Sequence, residues 1–401
     1  MNSSVPFSAA QPLDQAILAL YARMQSHRRT LHAWPELAFE EERTAAYVAR
    51  ELQRMGGWRI QTGVAKTGII AERSGPGDRL RVYRADMDAL PITEETGLPF
   101  ASERDGVMHA CGHDLHTSIL LGLAELIATN ESLVDGTIRL LFQPAEEYMG
   151  GATPMIEAGA LAPLPTGTRA ESVVGLHIRP DIPCGTIGLR SGPFMAAADH
   201  VDIRVWGGGG HAAAPHESSC DAIVTSAHVI SALQTVVSRN VAPYAAAVVS
   251  IGKIVGGAAA NVLPAFVDLS GTIRTTDPQV RKQVHDRVIA LVRAQASALG
   301  GRADVTIKTG YDALINDVDV TERLRRTALD LYGPEHVITP EIWMAAEDFA
   351  HYGAVAPSCF AVVGCASPDV PHSDAPLHTS VINPDERTML HGLRLLAHHA
   401  L

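Results

Sequence analysis

Cys111 and His113 stand two residues apart in Met108-His109-Ala110-Cys111-Gly112-His113-Asp114-Leu115-His116. A thiolate and an imidazole at this spacing can reach one first-row metal ion, and both are ligand types that zinc-like metals prefer. Asp114, beside them, can hold a histidine in one tautomer. Further along, an apolar run leads into Phe142-Gln143-Pro144-Ala145-Glu146-Glu147. In such a pair one glutamate can bind a metal while the other serves as general base. Together the two stretches suggest a metal-dependent hydrolase. Taken singly they are weak: a chain with 18 histidines produces Cys-x-His by chance, and Glu-Glu commonly opens a solvated helix.

The elements that must position these residues strengthen the reading. Apolar residues at helical spacing (Leu13, Ile17, Leu20, Tyr21, Met24) predict a helix over residues 13–28, and a second runs from about residue 40 to the Gly56-Gly57 stop. Short apolar runs at 68–71, 80–85, 137–142 and 172–176 read as strands, with a helix over 117–128 between them. This alternation predicts an α/β layer with a parallel or mixed sheet. Asp86 and Asp88 follow one strand, Glu146 and Glu147 another, and His177 a third. Ligands of open α/β sheets bind at that carboxyl edge.

Residues 198–308 read differently. Strand 199–205, helix 221–237, strands 246–254 and 266–275, helix 279–299 and strand 303–308 give a β-α-β-β-α-β order, the split ferredoxin-like arrangement. The expected organisation is therefore a catalytic domain with a central mixed sheet flanked by helices (1–197 and 309–401) and an inserted ferredoxin-like α+β domain (198–308). Strand 358–363 and a helix from about residue 384 complete the first domain.

A chain of 401 residues is long enough for two cores. With 46% hydrophobic and 19% charged residues it is globular in balance, and a net charge of -12 argues against a nucleic-acid partner or a polybasic membrane patch. Residues 1–11 carry no basic region followed by an apolar run, so neither a signal peptide nor a membrane span is expected there. Five scattered cysteines suggest no disulfide framework and fit a reducing cytoplasm. Cys359 and Cys365 read as core thiols.

Several other motifs fail on context. Gly207-Gly208-Gly209-Gly210-His211-Ala212 resembles a dinucleotide fingerprint, but no acidic residue ends a second parallel strand at the required distance. It is better read as a glycine turn carrying a functional histidine. Neither a Gly-x-Ser-x-Gly elbow nor a His-Glu-x-x-His helix occurs. Among the histidines, His398 and His399 read as solvated, His228 and His285 as surface, and His32 as capping or packing. His113, His177, His211 and His378 carry stronger claims. Arg274, on its own, reads as a surface strand arginine.

As a set, the motifs resemble the dinuclear metallo-aminoacylase family, which includes hippurate hydrolases, N-acetylamino-acid deacetylases and plant auxin-conjugate amidohydrolases. The likeness runs from His32-Ala33-Trp34-Pro35-Glu36-Leu37 to Leu377-His378. It passes through Arg84-Ala85-Asp86-Met87-Asp88-Ala89-Leu90-Pro91, the Cys-Gly-His stretch, Gln143-Pro144-Ala145-Glu146-Glu147 and Gly175-Leu176-His177. It continues through Gly209-Gly210-His211-Ala212-Ala213-Ala214-Pro215-His216, Asn261-Val262-Leu263-Pro264, Gly271-Thr272-Ile273-Arg274 and Ala346-Glu347-Asp348-Phe349. The Cys-Gly-His form points to the amidohydrolase branch and away from the carboxypeptidase branch.

The resemblance implies two divalent metal ions held by Cys111, His113, Glu147, His177 and His378, with Glu146 as general base. Asp88 matches an acidic residue that supports a ligand, while the role of Asp86 is less defined. His211 matches a lid histidine that stabilises the oxyanion, and Asn261 and Arg274 match groups that bind the substrate carboxylate. The inserted domain is expected to act as lid and to form a homodimer. Sulfur at Cys111 favours zinc or cobalt, and family habit leaves manganese or nickel open. The turn departs from relatives that carry lysine in place of Gly208, and Thr379-Ser380-Val381 also differs from commoner forms. The expected activity is hydrolysis of N-acyl-amino acids, such as benzoyl, acetyl or indole-acetyl conjugates, in the cytoplasm. A dipeptidase or carboxypeptidase with the same site is the enzyme alternative. A metal-dependent binding protein without catalysis is the other, and Glu146 argues against it because binding alone needs no general base.

Overall fold

The computed structural model describes residues 11–130, 134–148 and 150–401. The reading of the first eleven residues as neither signal peptide nor span falls almost wholly outside these. No helix among the described residues is long and apolar enough to cross a membrane. The chain divides into two compact units: one is built from the chain up to Gly192 together with Ile315–Glu341 and His351–Leu401, the other from Pro193–Leu314 and Ile342–Ala350.

The first unit is organised on an eight-stranded mixed sheet. Its strands, in spatial order, are Arg59–Val64, Gly68–Ser74, Thr137–Gln143, Leu80–Asp86, Ser172–Pro183, Ser358–Ala366, Ile187–Gly188 and Val337–Ile338. Leu80–Asp86 runs parallel to both neighbours, and Ser172–Pro183 runs parallel to Ser358–Ala366. Central parallel strands are covered on both faces and read as continuous buried runs. Leu80–Asp86 and Thr137–Gln143 are accordingly buried at every residue. Two of the three arginines inside them pair with carboxylates, Arg139 with Glu72 and Arg84 with Asp86, and Arg81 donates to the Ala400 carbonyl. The helix His113–Thr129 is apolar nearly all round (Leu115, Ile119, Leu120, Leu123, Leu126, Ile127) and lies in the core, where it packs against Pro12–Ala33 and Thr388–Ala400.

Several histidines depart from the sequence expectation. His398 Nε2 donates at 3.0 Å to buried Asp14, which also takes a two-point contact from Arg394, so the terminal helix is tied to the first one. His399 meets the Tyr83 hydroxyl at 2.8 Å. His32 is buried between Asp114 at 2.8 Å and Glu94 at 3.2 Å. Polar residues on apolar-period positions disguised these contacts.

His32 has a thermodynamic consequence. Burial alone would lower its pKa, but Asp114 and Glu94 outweigh that and raise it to about 9. A folded-state value above the unfolded one means the imidazolium stabilises the fold fully below about pH 6.5, and the contribution is lost as pH rises through about 9. The amount is about 2 to 3 kcal/mol at most. Thermal melts of the metal-free protein should therefore fall between pH 6.5 and 9 more steeply than those of His32→Gln; equal slopes would reject the assignment.

The second unit holds a four-stranded antiparallel sheet in the order Ala247–Val255, Phe266–Thr275, Ala197–Trp206 and Arg302–Thr309, with helices Ala222–Asn240 and Pro278–Ala298. Chain order is β-α-β-β-α-β. Asp221 and Asp277 cap the two helices through their side chains. Burial alternates along Ala197–Trp206, so alternate residues pack on the helices and the others line a polar face. His285, expected at the surface, instead meets buried Asp199 at 2.6 Å beside Arg281.

Candidate metal centre

The Cys-Gly-His turn is shaped by its glycine. Gly112 has φ of 85°, and a Cβ there would lie 2.3 Å from Ile178 Cδ1. Only glycine combines that left-handed backbone with so close an approach. The helix begins immediately after it, at His113, four residues earlier than the apolar spacing suggested. His113, Asp114 and His116 are thus residues of its first turn, all buried.

A second left-handed position precedes the glutamates. Ala145 has φ of 56°, and its N–H donates to Glu41 Oε1 at 2.9 Å. The next two N–H groups, of Glu146 and Glu147, each donate to a different oxygen of Asp88 at 3.0 Å. Asp88 Oδ1 also meets His113 Nδ1 at 3.2 Å. One carboxylate therefore fixes the glutamate pair and directs His113 Nε2 away from itself. His378, also left-handed at φ 63°, is anchored by its N–H to the Ala110 carbonyl at 2.9 Å.

These turns bring five predicted ligands of the first unit together. Cys111 Sγ and His177 Nε2 are 3.3 Å apart. Glu147 Oε1 is 3.2 Å from His378 Nε2 and 3.8 Å from His113 Nε2. Cys111, His113 and His177 present ligand atoms within 4.8 Å of one another, as do Cys111, Glu147 and His378, and also His113, Glu146 and Glu147. His113 Nε2 is buried without a hydrogen-bond partner. Buried polar atoms are ordinarily satisfied, so this nitrogen marks room for a ligand.

Electrostatics point the same way. Burial, then Glu147 and Glu146, push the Cys111 thiol well above its ordinary value. Burial would lower His113, but Asp86 and Asp88 outweigh it and raise it to about 10. Burial would raise Glu147, yet His378 and His113 hold it below the usual range. The soft and borderline donors of the cluster suit a divalent cation.

The chain matches the family model described as peptidase family M20/M25/M40 over residues 82–400. It belongs to that family. It is 44% identical over 338 residues to an N-acetyl-L-cysteine deacetylase of Bacillus subtilis strain 168, covering 84% of this chain and 79% of that one. It is 37% identical to an N-acetyldiaminopimelate deacetylase of Bacillus cytotoxicus, covering 92% and 95%. Among solved structures, a dinuclear metal-binding peptidase of family M20 from Bacillus subtilis superposes with a TM-score of 0.83 at 33% identity, covering 96% of this chain and 98% of that one.

The remaining predicted residues of this M20/M25/M40 member lie in its second unit. His211 pairs with Val262 in a short antiparallel bridge, and the Asn261 carbonyl accepts from Ala212 N at 3.1 Å. His211 and Asn261 are thereby neighbours. Arg274 stands on the polar face of the sheet, partly buried. Burial lowers its pKa, offset in part by Asp199, and it makes no hydrogen bond or ion pair among the described residues.

Asp114 holds a histidine, but it is His32 and not a member of the cluster; Asp88 does the latter. Glu41 and His116 went unnoticed in the sequence. Glu41 carries no motif signal, and burial pushes it up to about 7. His116 was visible as part of the Cys-Gly-His stretch, yet spacing alone does not tell a ligand from a support.

Proposed function

We propose that the chain is a metal-dependent amidohydrolase that cleaves N-acyl-amino acids into a carboxylic acid and a free amino acid. The observation that carries this reading is the buried convergence of a thiol, imidazoles and paired glutamates, with His113 Nε2 left without a hydrogen-bond partner. Two relatives named as deacetylases of N-acetyl-amino acids support it. Cys111, His113, Glu147, His177 and His378 would hold two divalent ions, as the dinuclear structural relative suggests. Zn²⁺ or Co²⁺ suits the sulfur, with Mn²⁺ and Ni²⁺ as the other choices. When bound, such ions supply Lewis acidity and lower the pKa of water.

The chain's own groups do the rest. Glu146 takes a proton from the attacking water and returns it to the leaving amine. Ala213 N–H donates to His211 Nδ1 at 3.0 Å, which puts the ring proton on Nε2 and makes that atom a donor suited to a developing oxyanion. Arg274, whose guanidinium makes no direct hydrogen bond or ion pair among the described residues, is available to a substrate carboxylate, with Asn261 as a second donor. A charge-assisted contact of this kind contributes about 1.5 to 3 kcal/mol, or roughly one to two decades in kcat/KM.

A panel of acylated amino acids, each with its carboxamide, tests this with added metal. Acids should exceed their amides by roughly one to two decades, and Arg274→Ala should erase the difference. Equal hydrolysis of both by the unmodified protein would replace this reading with a general amidase.

In this reading residues 198–308 form the lid and a homodimer. The strand Ala247–Val255 lies at the edge of its sheet, with Ile254 57% and Val255 53% exposed near Ile223 and Val224 at 46% and 49%. An open apolar edge invites pairing with a second copy. Ile254→Lys should sediment as monomer; a persisting dimer would reject this interface. All five cysteines are free and buried, which suits a reducing cytoplasm.

A further inference from the structure

Asp86, His113 and His116 also bring ligand atoms within 4.8 Å of one another, which raises the question of a third cation site. The hydrogen bonds exclude it. His116 Nδ1 meets Asp86 Oδ1 at 2.7 Å, and His116 Nε2 accepts from Ile178 N–H at 3.0 Å. An ionised carboxylate only accepts, so Nδ1 carries the proton and Nε2 the lone pair. Both nitrogens are spent. Asp86 is in turn held by Arg84 at 2.7 Å, and Thr117 Oγ1 donates to the Asp86 carbonyl at 2.8 Å, so strand end and helix start are locked together.

The far end of this chain of bonds reaches the cluster. Ile178, whose N–H is held by His116, accepts at its carbonyl from His177 Nδ1 at 2.7 Å. That bond leaves the His177 Nε2 lone pair pointing at Cys111 Sγ, 3.3 Å away. The Ile178 side chain fills the space over Gly112, between Cys111 and His113. The His116 and His177 rings sit 4.6 Å apart, centroid to centroid.

We propose that His116, oriented by Asp86, is a positioning residue: it anchors Ile178 through its N–H and so steadies the carbonyl of the same residue, which selects the His177 tautomer and aims Nε2 into the ligand cluster. The proposal deepens the metal-centre reading and rests on it for its consequence, though not for the tautomer itself. A ligand histidine is tuned by the partner of its other nitrogen. Here that partner is the carbonyl of Ile178, and a second histidine restrains the N–H of the same residue, one peptide earlier.

Three substitutions separate the roles. His116→Leu removes both bonds. His116→Asn reaches Asp86 but is too short for Ile178. His116→Gln spans both, since its amide oxygen can accept from Ile178 while its nitrogen donates to Asp86. In metal-free protein labelled with ¹⁵N-histidine, two-bond ¹H–¹⁵N correlations read the His177 tautomer, assigned by its loss in His177→Gln. The unmodified protein and His116→Gln should show the Nδ1–H form, whereas His116→Asn and His116→Leu should show a mixture. Co²⁺ titration, followed by the thiolate-to-cobalt absorption, should then show one ion bound about 10- to 100-fold more weakly in the Asn and Leu variants, with His116→Gln near the unmodified protein. A role in stability alone would lower the melting temperature and leave tautomer and cobalt spectrum unchanged. A pure Nδ1–H His177 in folded His116→Asn overturns the proposal. Should the unmodified protein bind no Co²⁺, the metal reading fails, and the tautomer still decides the positioning.

Discussion

Glu146→Gln will keep its metal and lose roughly 10²-fold or more in turnover, the usual contribution of a positioned general base. The two adjacent glutamates share one backbone anchor, Asp88, and diverge in their side chains. Glu147 reaches His378 and faces His113, which suits its proposed role as a ligand. Glu146 is 6% exposed and lies within the same group as His113 and Glu147. Glutamine preserves its shape and removes its capacity to accept a proton. Metal content by atomic absorption and amine release from one preparation check both halves. Loss of metal from Glu146→Gln, with retention by Glu147→Gln, would show that the two have exchanged roles.

Asp88→Ala will damage both stability and the centre. It strands three buried donors at once: the N–H groups of Glu146 and Glu147 and His113 Nδ1. An unsatisfied buried group costs about 1 to 3 kcal/mol, so the total is on the order of 3 kcal/mol or more. Removing such a support weakens metal affinity about 10- to 100-fold. Asp88→Asn keeps one acceptor and should fall between. The check is a urea melt of the metal-free protein beside a chelator competition. An alanine variant that melts normally and binds metal normally would show that the glutamate turn is fixed by Glu41 and Ala145 alone.

Much of the fold was legible because its apolar periods are strong. The strand Phe266–Thr275 and the helices Ala222–Asn240 and Pro278–Ala298 follow their burial patterns closely. The helix at His113 was placed too late because its first turn buries histidine and aspartate, which periodicity counts as polar. Strands as short as Ile187–Gly188 and Val337–Ile338 have no period to read; only their neighbours define them. Within the site, the residues with unusual chemistry were visible: Cys111, His113 and the glutamate pair. Asp88 was visible too, at a strand end, whereas Glu41 and His116 act on the site through backbone amides. Such partners leave no trace in spacing, because any residue type supplies the amide.

The connection between strands Ser172–Pro183 and Ser358–Ala366 bears on how the chain reaches this structure. They are parallel neighbours, Val173 opposite Ser358, with the whole second unit between them in sequence. The bonds from Asp14 to Arg394 and His398 span the chain more widely still. Contacts of such separation form slowly, since a long loop must close before they reward it. The second unit, whose sheet and helices come mainly from the uninterrupted stretch Pro193–Leu314, meets no such delay. During synthesis it can order while the eight-stranded sheet still lacks Ser358–Ala366. His378 follows that last strand in sequence, so the proposed ligand set is complete only at the end of assembly.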